Sequence, residues 1–288
     1  MITMNTWINN TKKYLDNDFW SMDMETLWPG YINHPDHPFS HCYNPYEGND
    51  RWSATDGPGI FEENKRKMPK DWTYHTKDVR YIENQSGFRT KEWKDIDWKN
   101  SVVLLGDSCT YGVGLAEDET ISYNLEKMLG RPVINLGVPG SSNNSMINHG
   151  SIIIEKFDIP YGVVVNWSAP NRFRYYYSNG YMDVSKSIFH KTLFGSNLEI
   201  EDTNLTSLWT NTYINPTNEM CLNYYLGRNS SAMWKGRSRY VSVSFFPETA
   251  HYMRCDQYFK NNQTARDLLH PGAEDALEVA KYLYEKLK

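Results

Sequence analysis

Three short stretches of the chain are dominated by apolar residues and bounded by turn residues: Val102 to Leu105, Pro132 to Leu136, and Gly162 to Trp167. Such runs read as strands buried on both faces rather than strands with one wet face. Between them the period changes. Ile121, Leu125, Met128 and Leu129 recur at helical spacing, and so do Met146, Ile147, Ile152 and Ile153, a helix for which Ser141 is the natural N-cap. Strand, helix, strand, helix, strand predicts parallel strands joined by right-handed crossovers, with their C-terminal ends facing one crevice. Further on, Tyr240 to Phe246 alternates like a strand. Ala276, Leu277, Ala280, Leu283, Tyr284 and Leu287 lay an apolar stripe along a closing helix over Ala273 to Lys288.

The pattern weakens elsewhere. The first 73 or so residues are rich in Trp, Asn, Asp and Pro, and predict irregular structure laid over a core through anchors such as Trp7, Trp20, Trp28 and Trp52. Val79, Tyr81 and Ile82 then predict an edge strand. From Arg172 to roughly Arg237 the chain is long, aromatic and polar. The expected organisation is an N-terminal extension over 1–100, packed on the core and not independent, and a domain over 101–288. That domain carries an insertion at about 172–237 that covers the crevice. Tyrosine and tryptophan in the insertion suit the faces of sugars, although the core of a helical insert is the favoured reading.

The candidate chemistry sits where the first strand ends. Gly106-Asp107-Ser108 turns the chain from strand to helix and leaves a hydroxyl at the C-terminal edge of a sheet, where ligands bind in open α/β folds. Alone, the triplet serves equally well as a plain helix start. Near the other end, Arg266-Asp267-Leu-Leu-His270-Pro271-Gly272 sets a carboxylate three residues before a histidine, just ahead of the last helix, whose start Pro271 and Gly272 define. In one turn of chain Asp267 can bind one imidazole nitrogen and leave the other free to take a proton from a serine. Cys109 adjoins Ser108 and is the rival nucleophile; the strand-to-turn placement favours the serine. Asp107 and Thr110 are expected to brace the turn.

With both ends in view the sequence resembles the SGNH (GDSL-type) hydrolases over roughly residues 74 to 288. Ser108, within Gly106-Asp107-Ser108-Cys-Thr-Tyr-Gly112-Val-Gly114, matches the family nucleophile; Asp267 and His270 match its acid and base. Asn135-Leu-Gly137-Val-Pro-Gly140 matches the second block, and Gln85-Ser-Gly87-Phe-Arg89 is similar to a segment found before the first strand. The third block departs: the family has Gly-x-Asn-Asp, whereas this chain reads Val163-Val-Val-Asn166-Trp-Ser168-Ala-Pro170-Asn171-Arg172. The resemblance implies a flavodoxin-like three-layer α/β/α fold with a central parallel sheet. It also implies an oxyanion hole of the Ser108 and Gly140 N–H groups with an Asn side chain, for which Asn171 is nearest and Asn166 the alternative. The expected activity is that of a serine esterase acting on short acyl esters, acetyl above all, on a carbohydrate. An O-acyltransferase with the same triad, or a non-catalytic sugar-binding or structural module, are the alternatives.

Composition narrows this further. At 288 residues and 40% apolar content the chain can bury a sizeable core. A formal charge of −5 with no long basic run gives no electrostatic case for nucleic acid or anionic membrane. The four cysteines, at 42, 109, 221 and 255, form no CxxC pair and read as reduced. His34, His37, His41 and Cys42 crowd together, but their spacing fits no standard zinc pattern, so no metal and no cofactor is expected. Without a signal-like N-terminus or an apolar run of membrane length, the expectation is a cytoplasmic or otherwise soluble protein.

Overall fold

The computed structural model describes residues 39, 49–177, 180–185 and 216–288. In chain order, β1 (Asn49–Asp50) precedes α1 (Pro58–Lys67) and β2 (Tyr81–Ile82). The central region runs β3 (Val102–Gly106), α2 (Ser108–Tyr111), α3 (Ile121–Leu129), β4 (Val133–Gly137), α4 (Asn143–Lys156) and β5 (Gly162–Trp167). A hairpin, β6 (Arg172–Tyr177) with β7 (Gly180–Ser185), follows, then α5 (Pro216–Trp234), β8 (Arg239–Ser244), α6 (Pro247–Met253), β9 (Gln257–Tyr258) and α7 (Ala273–Leu287).

The main sheet has five strands in the order β4-β3-β5-β8-β9, every pairing parallel. Numbered by appearance within the sheet, that is the 2-1-3-4-5 order of flavodoxin-like folds, whose switch point lies between the first and third strands. Here it falls between β3 and β5, and Ser108 follows β3. Alternation along the strands divides two cores. Val102, Leu104, Val164, Val241 and Val243 pack against α3 and α7, while Val103, Leu105, Val163, Val165 and Trp167 pack against α4 and α5. Full burial on both faces explains the nearly continuous apolar strands, each large side chain contributing about 1.5–3 kcal/mol.

One expectation changes and two gain detail. β2 is an edge strand, but among the described residues its partner is β1, in a two-stranded sheet separate from the main one. What Tyr81 contributes instead is packing, in a cluster of Tyr74, Val79 and Tyr81 with Tyr111, Val113 and Ala116. The N-cap of α4 is Ser142 rather than Ser141, whose hydroxyl instead donates to the Gly106 carbonyl at 3.3 Å. The stretch expected as an insertion at about 172–237 ends in α5, which buries Leu226 and Trp234 in the second core and is the crossover that carries the chain from β5 to β8. Trp7, Trp20, Trp28, the His34, His37, His41 and Cys42 group, and the aromatic run around Trp209 lie outside the described residues. Among those described, no helix is long and apolar enough to cross a membrane.

Candidate active site

The nucleophile turn is held by regular structure. Asp107, extended at φ −101, caps α2 by accepting from the Cys109 N–H at 3.0 Å, and Ser108 is the first helical residue. This one-turn helix sits directly on the strand ends. A Cβ on Gly106 would lie 1.9 Å from Thr110 Oγ1 and one on Gly137 2.3 Å from the Tyr111 nitrogen, so only glycine permits the approach. Ser108 is 5% exposed. Burial, and after it the Asp107 carboxylate, pushes the Cys109 thiol well above its ordinary value, which keeps it protonated and weak as a nucleophile.

The second Asp107 oxygen reaches across the switch point. It accepts from Ser168 Oγ at 2.8 Å and from Arg172 Nη1 at 2.9 Å, and Arg172 Nη1 also donates to Ser168 Oγ at 2.8 Å. Ser168 is fixed in turn: its N–H donates to Asn143 Oδ1 at 2.8 Å, and its carbonyl accepts from Thr249 Oγ1 at 2.9 Å. The altered third block therefore ties the loop after β5 to the nucleophile turn through an ion pair, a contact that motif spacing does not announce.

The acid–base turn is built differently. His270 Nδ1 lies 2.6 Å from Asp267 Oδ2, while Asp267 Oδ1 accepts from the N–H groups of Leu269 and His270 at 3.0 and 3.1 Å. Thr55 Oγ1 donates to Oδ2 at 2.6 Å. Burial alone would push this carboxyl up. Hydrogen bonding and charge from His270, with smaller help from Thr55 and Leu269, outweigh it and hold Asp267 below its ordinary 3.8. With Nδ1 committed, Nε2 is the free ring nitrogen.

Gly114 joins the two turns. At φ 78 it lets the acid–base segment pack on the loop after α2: a Cβ there would meet Ala265 Cβ at 2.8 Å and the Arg266 nitrogen at 2.9 Å. The Arg266 N–H donates to the Gly114 carbonyl at 3.1 Å. Ser108 and His270 are not hydrogen-bonded to each other, a bond that in serine triads often tightens only with substrate.

Among the described residues, the backbone N–H groups of Ser108 and Gly140 have no protein acceptor, and Gly140 is exposed at φ 79. Asn171 is exposed in the turn just before β6. Asn166 is buried in β5, and its amide donates to Thr110 Oγ1 at 3.0 Å, bracing α2 from beneath. Thr110 and Asp107 thus both brace the turn as expected. Among the described residues no group of three or more His, Cys, Asp or Glu side chains could hold a metal ion. A groove of about 370 Å³ beside Arg89, Glu117 and Tyr123 contains none of the candidate residues. Sequence reasoning missed Thr55, Asp56, Ser168 and Arg172. Arg266 alone left a trace, as a charged residue beside a candidate acid that burial obliges to find a carboxylate.

No family model matches the chain and no curated protein is similar to it. Solved structures similar in part include TesA, at 12% identity and a TM-score of 0.39 over 65% of this chain and 98% of that one. A psychrotrophic esterase, EstA, from a Pseudoalteromonas species is 13% identical, with a TM-score of 0.37 over 65% of this chain and 96% of that one. A carbohydrate esterase family 2 enzyme from Corynascus thermopiles is 9% identical, with a TM-score of 0.38 over 66% of this chain and 65% of that one. Others are described as a protein assigned to the lipolytic G-D-S-L family and as an SGNH-hydrolase family esterase, AlinE4, and the likeness is modest throughout.

Proposed function

We propose that the chain is a serine ester hydrolase in which Ser108, His270 and Asp267 form the triad. One observation carries the reading: Asp267 occupies Nδ1 of His270 and leaves only Nε2 to move a proton, on a turn docked through Gly114 onto the loop that follows α2, the helix begun by Ser108. In the reaction Nε2 takes the Ser108 proton as Oγ attacks the ester carbonyl. The oxyanion is met by the N–H groups of Ser108 and Gly140, with Asn171 the proposed third donor. Collapse expels the alcohol, protonated by His270. Water, activated by the same imidazole, then releases the acid and restores Ser108.

The acyl group in this reading is short, acetyl first, and its carrier is a carbohydrate. At the crevice the strands end in Gly106, Gly137, Asn166-Trp167 and Ser244, and the tyrosine-rich strand β6 begins at Arg172, which pairs with Asp107. p-Nitrophenyl esters from acetyl to octanoyl, assayed with the wild type and Ser108→Ala, test it. Activity should fall with chain length and vanish in the variant, and an organophosphonate should label Ser108. Rates that climb with each methylene, each worth about 0.8 kcal/mol in an apolar groove, would overturn the short-acyl reading. A label on Cys109 would overturn the triad.

A further inference from the structure

Thr55 stands 212 positions from Asp267, yet its hydroxyl reaches the same carboxylate oxygen, at the same 2.6 Å, as His270 Nδ1. With the two backbone N–H groups on Oδ1, Asp267 accepts four hydrogen bonds, two on each oxygen, which fills its lone-pair capacity. The turn that presents Thr55 is a two-residue hairpin in which Ser53 and Asp56 exchange backbone bonds at 2.9 and 3.2 Å. Ala54 in that turn is left-handed at φ 53, and Leu268, on the other side of the contact, is left-handed at φ 59. Among the described residues only three non-glycine positions have positive φ, and two of them flank this hydrogen bond. Such conformations persist only where the surroundings over-determine them.

The next residue supplies that constraint. Asp56 is fully buried and accepts from Arg266 Nε at 2.9 and 3.0 Å, from Arg266 Nη2 at 2.6 Å and from the Tyr81 hydroxyl at 2.5 Å. The Arg266 guanidinium lies 4.6 Å from the Trp52 ring centroid. Residues 55 and 56 thus clamp residues 267 and 266, side chain to side chain.

We propose that Thr55 is a positioning residue for the acid–base pair: its hydroxyl fixes Asp267 Oδ2 against His270 Nδ1 and takes up part of the carboxylate's charge. The inference rests on the reading of Asp267 and His270 as acid and base, and it deepens that reading. The charged groups nearby are already matched, Arg266 by Asp56 and Asp107 by Arg172, and the Cys109 thiol stays neutral. Thr55 is therefore the side-chain donor that moderates Asp267. Without it the full carboxylate charge would bear on the Nδ1–H, the imidazolium would be held more tightly, and its proton would return less readily to the leaving alcohol.

The test uses the full chain labelled with 15N-histidine, as wild type, Thr55→Val, Thr55→Ala and Thr55→Ser. In Thr55→Val the His270 Nδ1–H resonance should move downfield and the ring should keep its proton to higher pH than in wild type. kcat/KM should fall by roughly three- to tenfold, more at pH 6 than at pH 8, and Thr55→Ser should restore both. Equal thermal melts would show that the turn still folds; if valine disturbs it, Thr55→Ala gives the same comparison. A His270 titration unchanged in both hydroxyl-free variants would overturn the proposal even with esterase activity intact. A wild type that hydrolyses no ester would overturn the triad reading instead, while the titration would still report whether Thr55 acts on the pair.

Discussion

The two halves of the candidate site are held by different mixtures of main-chain and side-chain contact. At the nucleophile turn a buried strand passes into a helix, glycines allow the helix to lie on the strand ends, and the cap is the neighbouring residue, Asp107. At the acid–base turn there is no regular element: Asp267 and His270 sit in a loop with a left-handed Leu268, held by Thr55 and Asp56 from the far end of the chain. Placement by main-chain geometry is local and tolerant of changes elsewhere. Placement by side chains is not, because each contact depends on a residue whose own position must be secured.

The comparison yields a graded set of outcomes. Ser108→Ala removes the reacting atom and should lower kcat/KM by about 10⁴ or more with an unchanged melt, since the turn is made by Asp107 and the glycines. A comparable loss of stability would break the view that this turn holds itself.

Asp267→Asn should cost about 10³ in kcat/KM, because an amide no longer fixes the tautomer of His270 and Thr55 no longer faces a charge. Its pH signature is separable. A carboxyl held below its ordinary 3.8 contributes stability that is present above that value and lost as pH falls through the lower, folded-state value. Acid unfolding of the wild type should therefore include a step below the ordinary carboxylate range that Asp267→Asn lacks, measured by circular dichroism against pH.

Asp56→Asn leaves Arg266 buried without its carboxylate and should destabilise the fold by roughly 3 kcal/mol, near the low end for a broken buried pair because the Arg51 carbonyl and the Trp52 ring remain. Urea titration measures this. Activity lost at temperatures where the variant is still fully folded would show the clamp acting on the acid–base turn and not on stability alone. Arg172→Met should have the smallest effect, about tenfold in kcat/KM, because Ser168 still donates to Asp107 and the cap on Cys109 is untouched. An effect as large as that of Asp267→Asn would mean that the nucleophile turn depends on distant side chains as heavily as the acid–base turn does.

What could be read from the sequence follows the same division. The strands over 102–105 and 162–167, the helix after Ile121, the closing helix after Gly272 and the turns at Ser108 and His270 were legible because each is written in nearest-neighbour terms: periodicity, a glycine where two backbones touch, a cap beside its helix. The tyrosine at position 81 was legible only as a strand residue, since alternation says which residues are buried and not what they are buried against. It packs with Tyr111 and hydrogen-bonds Asp56 rather than extending the main sheet.

By itself, then, the sequence determined a parallel α/β core and the sheet edge at which Ser108 opens a helix, and it singled out Ser108, Asp267 and His270 as the proposed triad. The tertiary structure decided what holds them: the pairing of Asp107 with Arg172, the use of Asn166 under Thr110, and the grip of Thr55 and Asp56 on Asp267 and Arg266. The physical reason is range. A hydrogen bond between residues 55 and 267 leaves no periodicity in either segment. It forms because packing brings the two turns together, and only then does the burial of Asp56 and Arg266 make their pairing obligatory.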